Sequence, residues 1–253
     1  MQISEQIVLV TGASRGLGAA IAKAFVVEGA KVIVNYHRSA ERAKALAAEL
    51  GKGALAIQAD VSDAIAVTRM FAEAETAFGR PVSTVINNAL ADYSFNGEAR
   101  AKIQDISWDD FAAQLSVSLR GALNTTQAAV PAMARAEFGR IITIGTNLFQ
   151  NPVVPYHDYT AAKAALLAFT RTACADLGPS GITVNMVSGG LLRTTDASAG
   201  TPETVFDLIA GMTPLRRVTT PQEFADAVLF FASPWSRAVT GQNLVVDGGL
   251  VRD

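Results

Sequence analysis

The 253-residue sequence contains very few residues of the kinds that bind metal ions or form disulfides. It has one cysteine, Cys174, and two histidines, His37 and His157. A single cysteine excludes a disulfide framework and a cysteine zinc site, and two histidines are too few for a histidine-rich metal site. We therefore expect no metal centre.

Charge is also scarce. Charged residues make up 17% of the chain and hydrophobic residues 50%, and 21 basic against 23 acidic residues give a net charge of −2. This balance excludes disorder over most of the length and gives no general attraction to nucleic acid or to anionic membranes. Apolar runs such as 164–169 are too short to cross a bilayer, and the first residues do not have the pattern of a signal peptide. We expect a cytoplasmic, globular protein with no nucleic-acid or membrane partner.

Short β-branched runs alternate with helical patterns along the whole chain. The predicted strands are 7–10, 31–36, 54–58, 82–87, 140–145, 182–187 and 243–246. The predicted helices are 17–28, 39–50, 63–78, 107–133, 156–177 and 221–232. This alternation predicts an α/β fold, one domain over 1–253, with a doubly wound parallel sheet of seven strands and helices on both faces. The long irregular segment 188–215 is expected to be a substrate lid.

A glycine-rich turn follows the first predicted strand. Gly12, Gly16 and Gly18 allow a sharp turn, a close approach of the backbone to a pyrophosphate, and tight packing of the next helix, whose N-terminal amides face the phosphates. An ordinary tight turn is the alternative interpretation. The predicted dinucleotide contacts at this turn are Gly12, Ser14, Arg15, Gly16, Leu17 and Gly18. Asp60 and Val61, after the third strand, are placed for the adenine ring, although Asp60 could instead cap the following turn.

The end of the second strand indicates which dinucleotide is bound. Dinucleotide sites for NAD have an acidic residue there for the ribose hydroxyls, but residues 34–39 contain Asn35 and Arg38 and no acid. Arg38, together with Arg15 of the glycine turn, suits a 2′-phosphate because guanidinium groups bind phosphate through paired charged hydrogen bonds. Two solvated loop arginines are the alternative. We predict NADP(H) as the cofactor, with Asn35 and Arg38 among its contacts.

Tyr159 and Lys163 are four residues apart on a predicted helix and therefore share one face. A nearby ammonium and an oxidised nicotinamide ring would lower the pKa of the phenol, which could then exchange a proton with a carbonyl or an alcohol. Thr146, at the end of the fifth strand, could hydrogen-bond the substrate oxygen, or it could bond local backbone. A chance Tyr-x-x-x-Lys is the alternative, but this pair follows a central strand, where open α/β sheets bind ligands.

These motifs together resemble the short-chain dehydrogenase/reductase family over nearly the whole chain. They are the glycine turn, Asp60-Val61, Asn87-Asn88-Ala89, Tyr159-x-x-x-Lys163 and Asp247-Gly248-Gly249. The segments 139–145 and 181–185 look most like the 3-oxoacyl-carrier-protein reductase group. The resemblance implies a strand order of 3-2-1-4-5-6-7, hydride transfer to a carbonyl or acyl-thioester substrate, and a homotetramer, with a homodimer as the alternative. It also implies that Tyr159 donates the proton, that Lys163 supports it and holds the ribose, and that Asn88, Ala89, Gly190 and Thr194 contact the cofactor.

Four positions depart from the pattern of that family. Thr146 stands where serine is usual, Leu90 replaces a glycine, Ser118 takes the place of an asparagine that supports proton transfer, and Gly189 replaces a proline. We include Ser118 among the candidate catalytic residues. The changes at Leu90, Ser118 and Gly189 also favour an alternative function, a dinucleotide-binding sensor or scaffold with weak or no catalysis.

Overall fold

A computed structural model of the chain describes residues 1–93, 95, 100–196 and 198–252. The strands are β1 (Ile7–Val10), β2 (Lys31–Tyr36), β3 (Ala54–Gln58), β4 (Thr84–Asn87), β5 (Gly139–Thr146), β6 (Ile182–Gly189) and β7 (Asn243–Val246). They form one parallel sheet in the order β3-β2-β1-β4-β5-β6-β7. The predicted fold class and strand order are therefore confirmed.

Helices cover both faces of this sheet. They are α1 (Gly16–Val27), α2 (Ala40–Leu50), α3 (Ala64–Phe78), α4 (Trp108–Leu115), α5 (Gly121–Arg135), α6 (His157–Leu177), α7 (Glu203–Met212) and α8 (Pro221–Ala232). On β1, Val8 and Val10 pack against α1 and α8, whereas Ile7 and Leu9 face α3 and α5. Every residue of β1, β4, β5 and β6 is buried, as expected for strands covered on both sides.

The long helix predicted over 107–133 is two helices. Ser107 is the N-cap of α4, as its sequence position suggests, and its hydroxyl accepts a hydrogen bond from the backbone N–H of Asp110. A π-helical turn, Ser116–Arg120, then separates α4 from α5. Pro131 lies inside α5, which continues to Arg135. Such π-turns interrupt α-helices at functional sites more often than elsewhere.

The predicted site lies at the carboxyl ends of the strands. β5 and β6 both extend further than predicted, to Thr146 and Gly189. The segment expected to be a lid leaves the end of β6 and contains one helix, α7. Among the described residues, no helix is both long and apolar enough to cross a membrane.

Candidate active site

The glycine turn between β1 and α1 is compact enough that side chains do not fit at two of its glycines. Gly12 has a φ of +61°, and a Cβ there would lie 3.0 Å from the Cα of Ala89. A Cβ on Gly18 would lie 2.6 Å from Nδ2 of Asn88 and 2.6 Å from the carbonyl oxygen of Gly12. Arg15, the N-cap residue of α1, makes no side-chain capping bond. The Arg15 side chain therefore leaves the first amides of α1 uncapped, and the N-terminus of a helix is a place where a phosphate satisfies such amides.

The side chains of two asparagines form hydrogen bonds with the backbone of this turn. Asn88 Nδ2 donates to the carbonyl oxygens of Thr11 (2.8 Å) and Gly12 (3.2 Å). Asn35 Oδ1 accepts from the amide of Gly12 at 3.2 Å, and its Nδ2 donates to the carbonyl oxygen of Ala59 at 3.1 Å. Asn35 is only 1% exposed. The Asn35 side chain is thus used to fix the backbone of the turn, and its contact with the cofactor stays a prediction.

Thr11 was not among the predicted site residues. Its hydroxyl accepts from the amides of Asn88 and Ala89, both at 2.9 Å, and donates to the carbonyl oxygen of Ile86 at 3.2 Å. It thereby joins the ends of β1 and β4. Its position directly before Gly12 was the sequence signal that could have identified it.

Asp60, after β3, forms a local turn. Its Oδ1 accepts from the amide (2.9 Å) and the hydroxyl (2.7 Å) of Ser62. Burial raises the pKa of the carboxyl, but the hydrogen bonds from Ser62 and the nearby His37 and Arg38 together outweigh it, so the pKa is lowered. The neighbouring Val61 is buried, and its carbonyl oxygen accepts from Nδ2 of Asn124 at 2.8 Å. The alternative role for Asp60, that of capping the next turn, is thus present in the structure.

Thr146, Tyr159 and Lys163 meet at the end of β5. The Thr146 side chain is near enough to the Tyr159 hydroxyl to lower the pKa of the phenol. Lys163 Nζ lies 5.8 Å from the centre of the Tyr159 ring and donates to the carbonyl oxygen of Ile144 at 2.7 Å. Tyr159 and Lys163 are both buried. The structure therefore brings together three of the residues that the sequence singled out, although Thr146 also accepts a local backbone bond from Leu148 at 3.3 Å.

Burial shifts the pKa values of this pair. It raises the pKa of Tyr159 to about 12, against a smaller lowering by the hydrogen bond with Thr146. It lowers the pKa of Lys163 to about 8. We expected an adjacent ammonium to lower the pKa of the phenol, but in the chain itself burial has the larger effect. The phenol is consequently protonated at neutral pH, which is the form that can donate a proton.

Aromatic rings cover Tyr159. The ring of Tyr93 lies 5.2 Å from it, that of Phe95 meets it edge-on at 5.3 Å, and Tyr156 packs against both covering rings at 5.6 Å. These rings pack around the ring of Tyr159. Apolar aromatic walls of this kind are typical of small-molecule pockets.

An ion pair next to Tyr159 holds this aromatic cover. The buried carboxylate of Asp158 accepts from Arg100 at 3.0 Å and from the Tyr93 hydroxyl at 3.3 Å. The Arg100 guanidinium also lies 4.1 Å from the centre of the Tyr93 ring. Sequence reasoning missed this pair, because the only local signal was an acidic residue directly before Tyr159.

The segment after β6 approaches the glycine turn. Gly190 directly follows β6, and a Cβ there would be 2.9 Å from Nδ2 of Asn147. Thr194 is exposed and borders, with Gly16, a cleft of about 440 Å³ between this segment and α1. The segment thus lies against the predicted phosphate site.

Comparisons with known proteins agree with this geometry. The family model described as Enoyl-(Acyl carrier protein) reductase matches residues 12–251. The chain is 34% identical to a 3-oxoacyl-[acyl-carrier-protein] reductase of Synechocystis sp., with 98% of both chains covered. It is also 34% identical to versicolorin reductase of Emericella nidulans, with 99% of this chain and 97% of that one covered. A solved dehydrogenase/reductase from Sinorhizobium meliloti 1021 is 33% identical, covers 98% of this chain and 95% of its own, and superposes with a TM-score of 0.85.

The chain belongs to the short-chain dehydrogenase/reductase family. Ser118, which we expect to take the place of an asparagine, lies in the π-helical turn packed against α6. Ser118 is 4% exposed, and its hydroxyl has no hydrogen-bond partner among the residues that the structure describes. An unpartnered buried hydroxyl is costly, so this site fits a bound water or ligand group.

Leu90 and Gly189 are two further positions at which we expect a difference from the family pattern. Leu90 is partly buried near the aromatic cover. Gly189 ends β6, and a Cβ there would lie 2.8 Å from the ring of Phe224. In this short-chain dehydrogenase/reductase, the glycine leaves room for a core side chain of α8.

Proposed function

We propose that the chain transfers hydride between NADP(H) and a carbonyl or secondary alcohol, acting as a reductase on a small-molecule carbonyl or acyl-thioester substrate. The observation that carries this proposal is the group of buried side chains Tyr159, Lys163 and Thr146 at the edge of the sheet that also carries the glycine turn, with Lys163 Nζ 5.8 Å from the centre of the Tyr159 ring. The relatives named 3-oxoacyl-[acyl-carrier-protein] reductase support the substrate class.

The surroundings of the glycine turn fit a dinucleotide. The unbonded amides of α1 suit its pyrophosphate, and the absence of an acid at the end of β2 suits a 2′-phosphate held by Arg15 and Arg38. We assign the remaining contacts to Gly12, Ser14, Gly16, Leu17, Gly18, Asp60, Val61, Ala89, Lys163, Gly190 and Thr194. Asn35 and Asn88 stay among the assigned contacts, and their side-chain amides also hold the turn.

The chain's own groups perform the proton chemistry. NADPH supplies the hydride to the carbonyl carbon when it is bound. Thr146 orients the substrate oxygen, and Tyr159 donates its phenolic proton to that oxygen as the C=O π bond becomes the alcohol C–O bond. Lys163 stabilises the resulting phenolate by its charge. We assign Ser118 a positioning role behind Lys163, through a water on its unpartnered hydroxyl.

The proposal includes a cytoplasmic homotetramer, or a homodimer, made from one domain with residues 188–215 as its lid. Exposed apolar side chains support self-association: Trp108 of α4 is 71% exposed, and Trp235, close to β7, is 82% exposed. Light scattering coupled to size-exclusion chromatography gives the number of subunits directly. A monomer would refute this part of the proposal alone.

The activity is tested by oxidation of NADPH with simple ketones, quinones and 3-oxoacyl thioesters. With NADPH deuterated at the transferred position, we expect turnover of at least one class and deuterium on the carbinol carbon of the product. A flat response to the whole panel despite tight NADPH binding would instead support the sensor or scaffold, which the residues at Leu90, Ser118 and Gly189 favour.

A further inference from the structure

Asp196 of the lid is ion-paired with two arginines from other parts of the chain. Its Oδ2 lies 2.7 Å from Arg42, in the first turn of α2, and 3.7 Å from Arg15, in the glycine turn. The three side chains are between 48% and 59% exposed. A single carboxylate oxygen therefore bridges two guanidinium groups in a place that solutes can reach.

In the lid, reciprocal hydrogen bonds between Thr195 and Ser198 flank Asp196. The amide of Thr195 donates to Ser198 Oγ at 2.8 Å, and the amide of Ser198 donates to Thr195 Oγ1 at 3.2 Å. Ser198 is buried, and its hydroxyl also donates to the carbonyl oxygen of Leu192 at 2.7 Å. Asp196 is therefore held between these anchored residues.

Both arginines lie where a dinucleotide places its adenosine half. Arg15 follows β1, Arg42 begins the helix after β2, and the carboxyl ends of these neighbouring strands form the binding edge of such a sheet. A phosphate monoester and a carboxylate both bind guanidinium through charged hydrogen bonds. The two anions would therefore compete for the same pair of cations.

We propose that Arg42 belongs with Arg15 to the 2′-phosphate site, and that Asp196 is an internal competitor which the coenzyme phosphate displaces. This inference rests on the proposed use of NADP(H). It has a second consequence: NADP(H) binding releases the lid from the glycine turn, whereas NAD(H), which lacks the 2′-phosphate, leaves the bridge in place. The position of the lid then depends on which dinucleotide is bound, because the contact of Asp196 with the arginines and the binding of the 2′-phosphate are coupled, and such coupling is reciprocal.

The test is a calorimetric titration of the full chain with NADPH and, separately, with NADH, at low salt. Asp196→Asn removes the competing charge, and we expect it to lower the Kd for NADPH about threefold to tenfold, as expected for exposed ion pairs. The Kd for NADH should stay within about twofold. Asp207→Asn is the matched control: Asp207 is an exposed lid residue in α7 for which the described residues show no ion pair. It should change neither Kd. Arg42→Met should weaken NADPH binding and reduce the gain from Asp196→Asn.

The outcomes separate this inference from the coenzyme assignment. If the wild-type chain prefers NADPH and Asp196→Asn leaves both Kd values unchanged, or improves NADH equally, the competition is wrong and the coenzyme assignment stands. An equal gain from Asp207→Asn would also overturn it, because general charge would then explain the effect. If neither the wild type nor Asp196→Asn prefers NADPH, the coenzyme assignment fails, and the competition fails with it.

Discussion

Lys163 should make the cofactor-free chain more stable as the pH rises above neutral. The folded chain releases the lysine proton near pH 8, because burial lowers the pKa from 10.5 to about 8. The unfolded chain keeps this proton up to its ordinary pKa of 10.5. Between these values the unfolded state binds more protons than the folded state, so this group makes unfolding less favourable as the pH increases. Integrated from about pH 7 to about pH 9.5, the gain is about 2 kcal/mol.

Urea unfolding of the wild type and Lys163→Met at these two pH values measures this effect. Methionine is a flexible, unbranched replacement of similar length. Lys163→Met also loses the hydrogen bond to the carbonyl oxygen of Ile144. We expect this loss to shift the free energy of unfolding by the same amount at both pH values. Only the slope of stability with pH therefore reports the titration of the lysine. The stability of the wild type relative to Lys163→Met should rise by about 2 kcal/mol. Lys52→Met, at an exposed lysine, controls for the loss of one positive charge. Parallel profiles for the wild type and Lys163→Met would refute the buried-lysine argument.

Two further predictions concern the cover and the glycine turn. Arg100→Met leaves the buried carboxylate of Asp158 without its charged partner, so urea unfolding should show a loss of about 2–4 kcal/mol. Adding Asp158→Asn should restore part of it, and no recovery would contradict a direct ion pair. Gly18→Ala places a Cβ 2.6 Å from an amide nitrogen and a carbonyl oxygen, so calorimetry should show NADPH binding weakened by about tenfold or more. Gly178→Ala, which meets nothing within 4 Å, should bind normally, and equal effects of the two changes would contradict the role of the turn.

Much of the fold could be predicted because a strand that is buried on both faces has a continuous run of apolar residues. Ile7–Val10 is a continuous apolar run, and in the structure each of its residues is buried. Likewise, Ser107 has the side chain that an N-cap requires and occupies that position. Tyr159 and Lys163 could be found because their spacing on one helix places both on one face.

The remaining features depend on contacts that no local pattern contains. An amide at the end of β2 has the same appearance in sequence whether it faces a ligand or, like Asn35, lies under a turn. The Arg42–Asp196 pair joins residues 154 positions apart, and the helical pattern of 107–133 continues through the π-turn without a break. The burial that raises the pKa of Tyr159 in the cofactor-free chain is likewise set by the packing of distant segments.

The most direct test of the central claim is the rate of NADPH-dependent carbonyl reduction by Tyr159→Phe, measured beside its affinity for NADPH. The substitution removes only the hydroxyl that donates the proton. We predict a fall in kcat of about 10²-fold to 10⁴-fold, the usual contribution of a positioned acid, with a Kd for NADPH within about twofold of the wild type. An undiminished rate would contradict the assignment of Tyr159 as the proton donor, and with it the proposed mechanism.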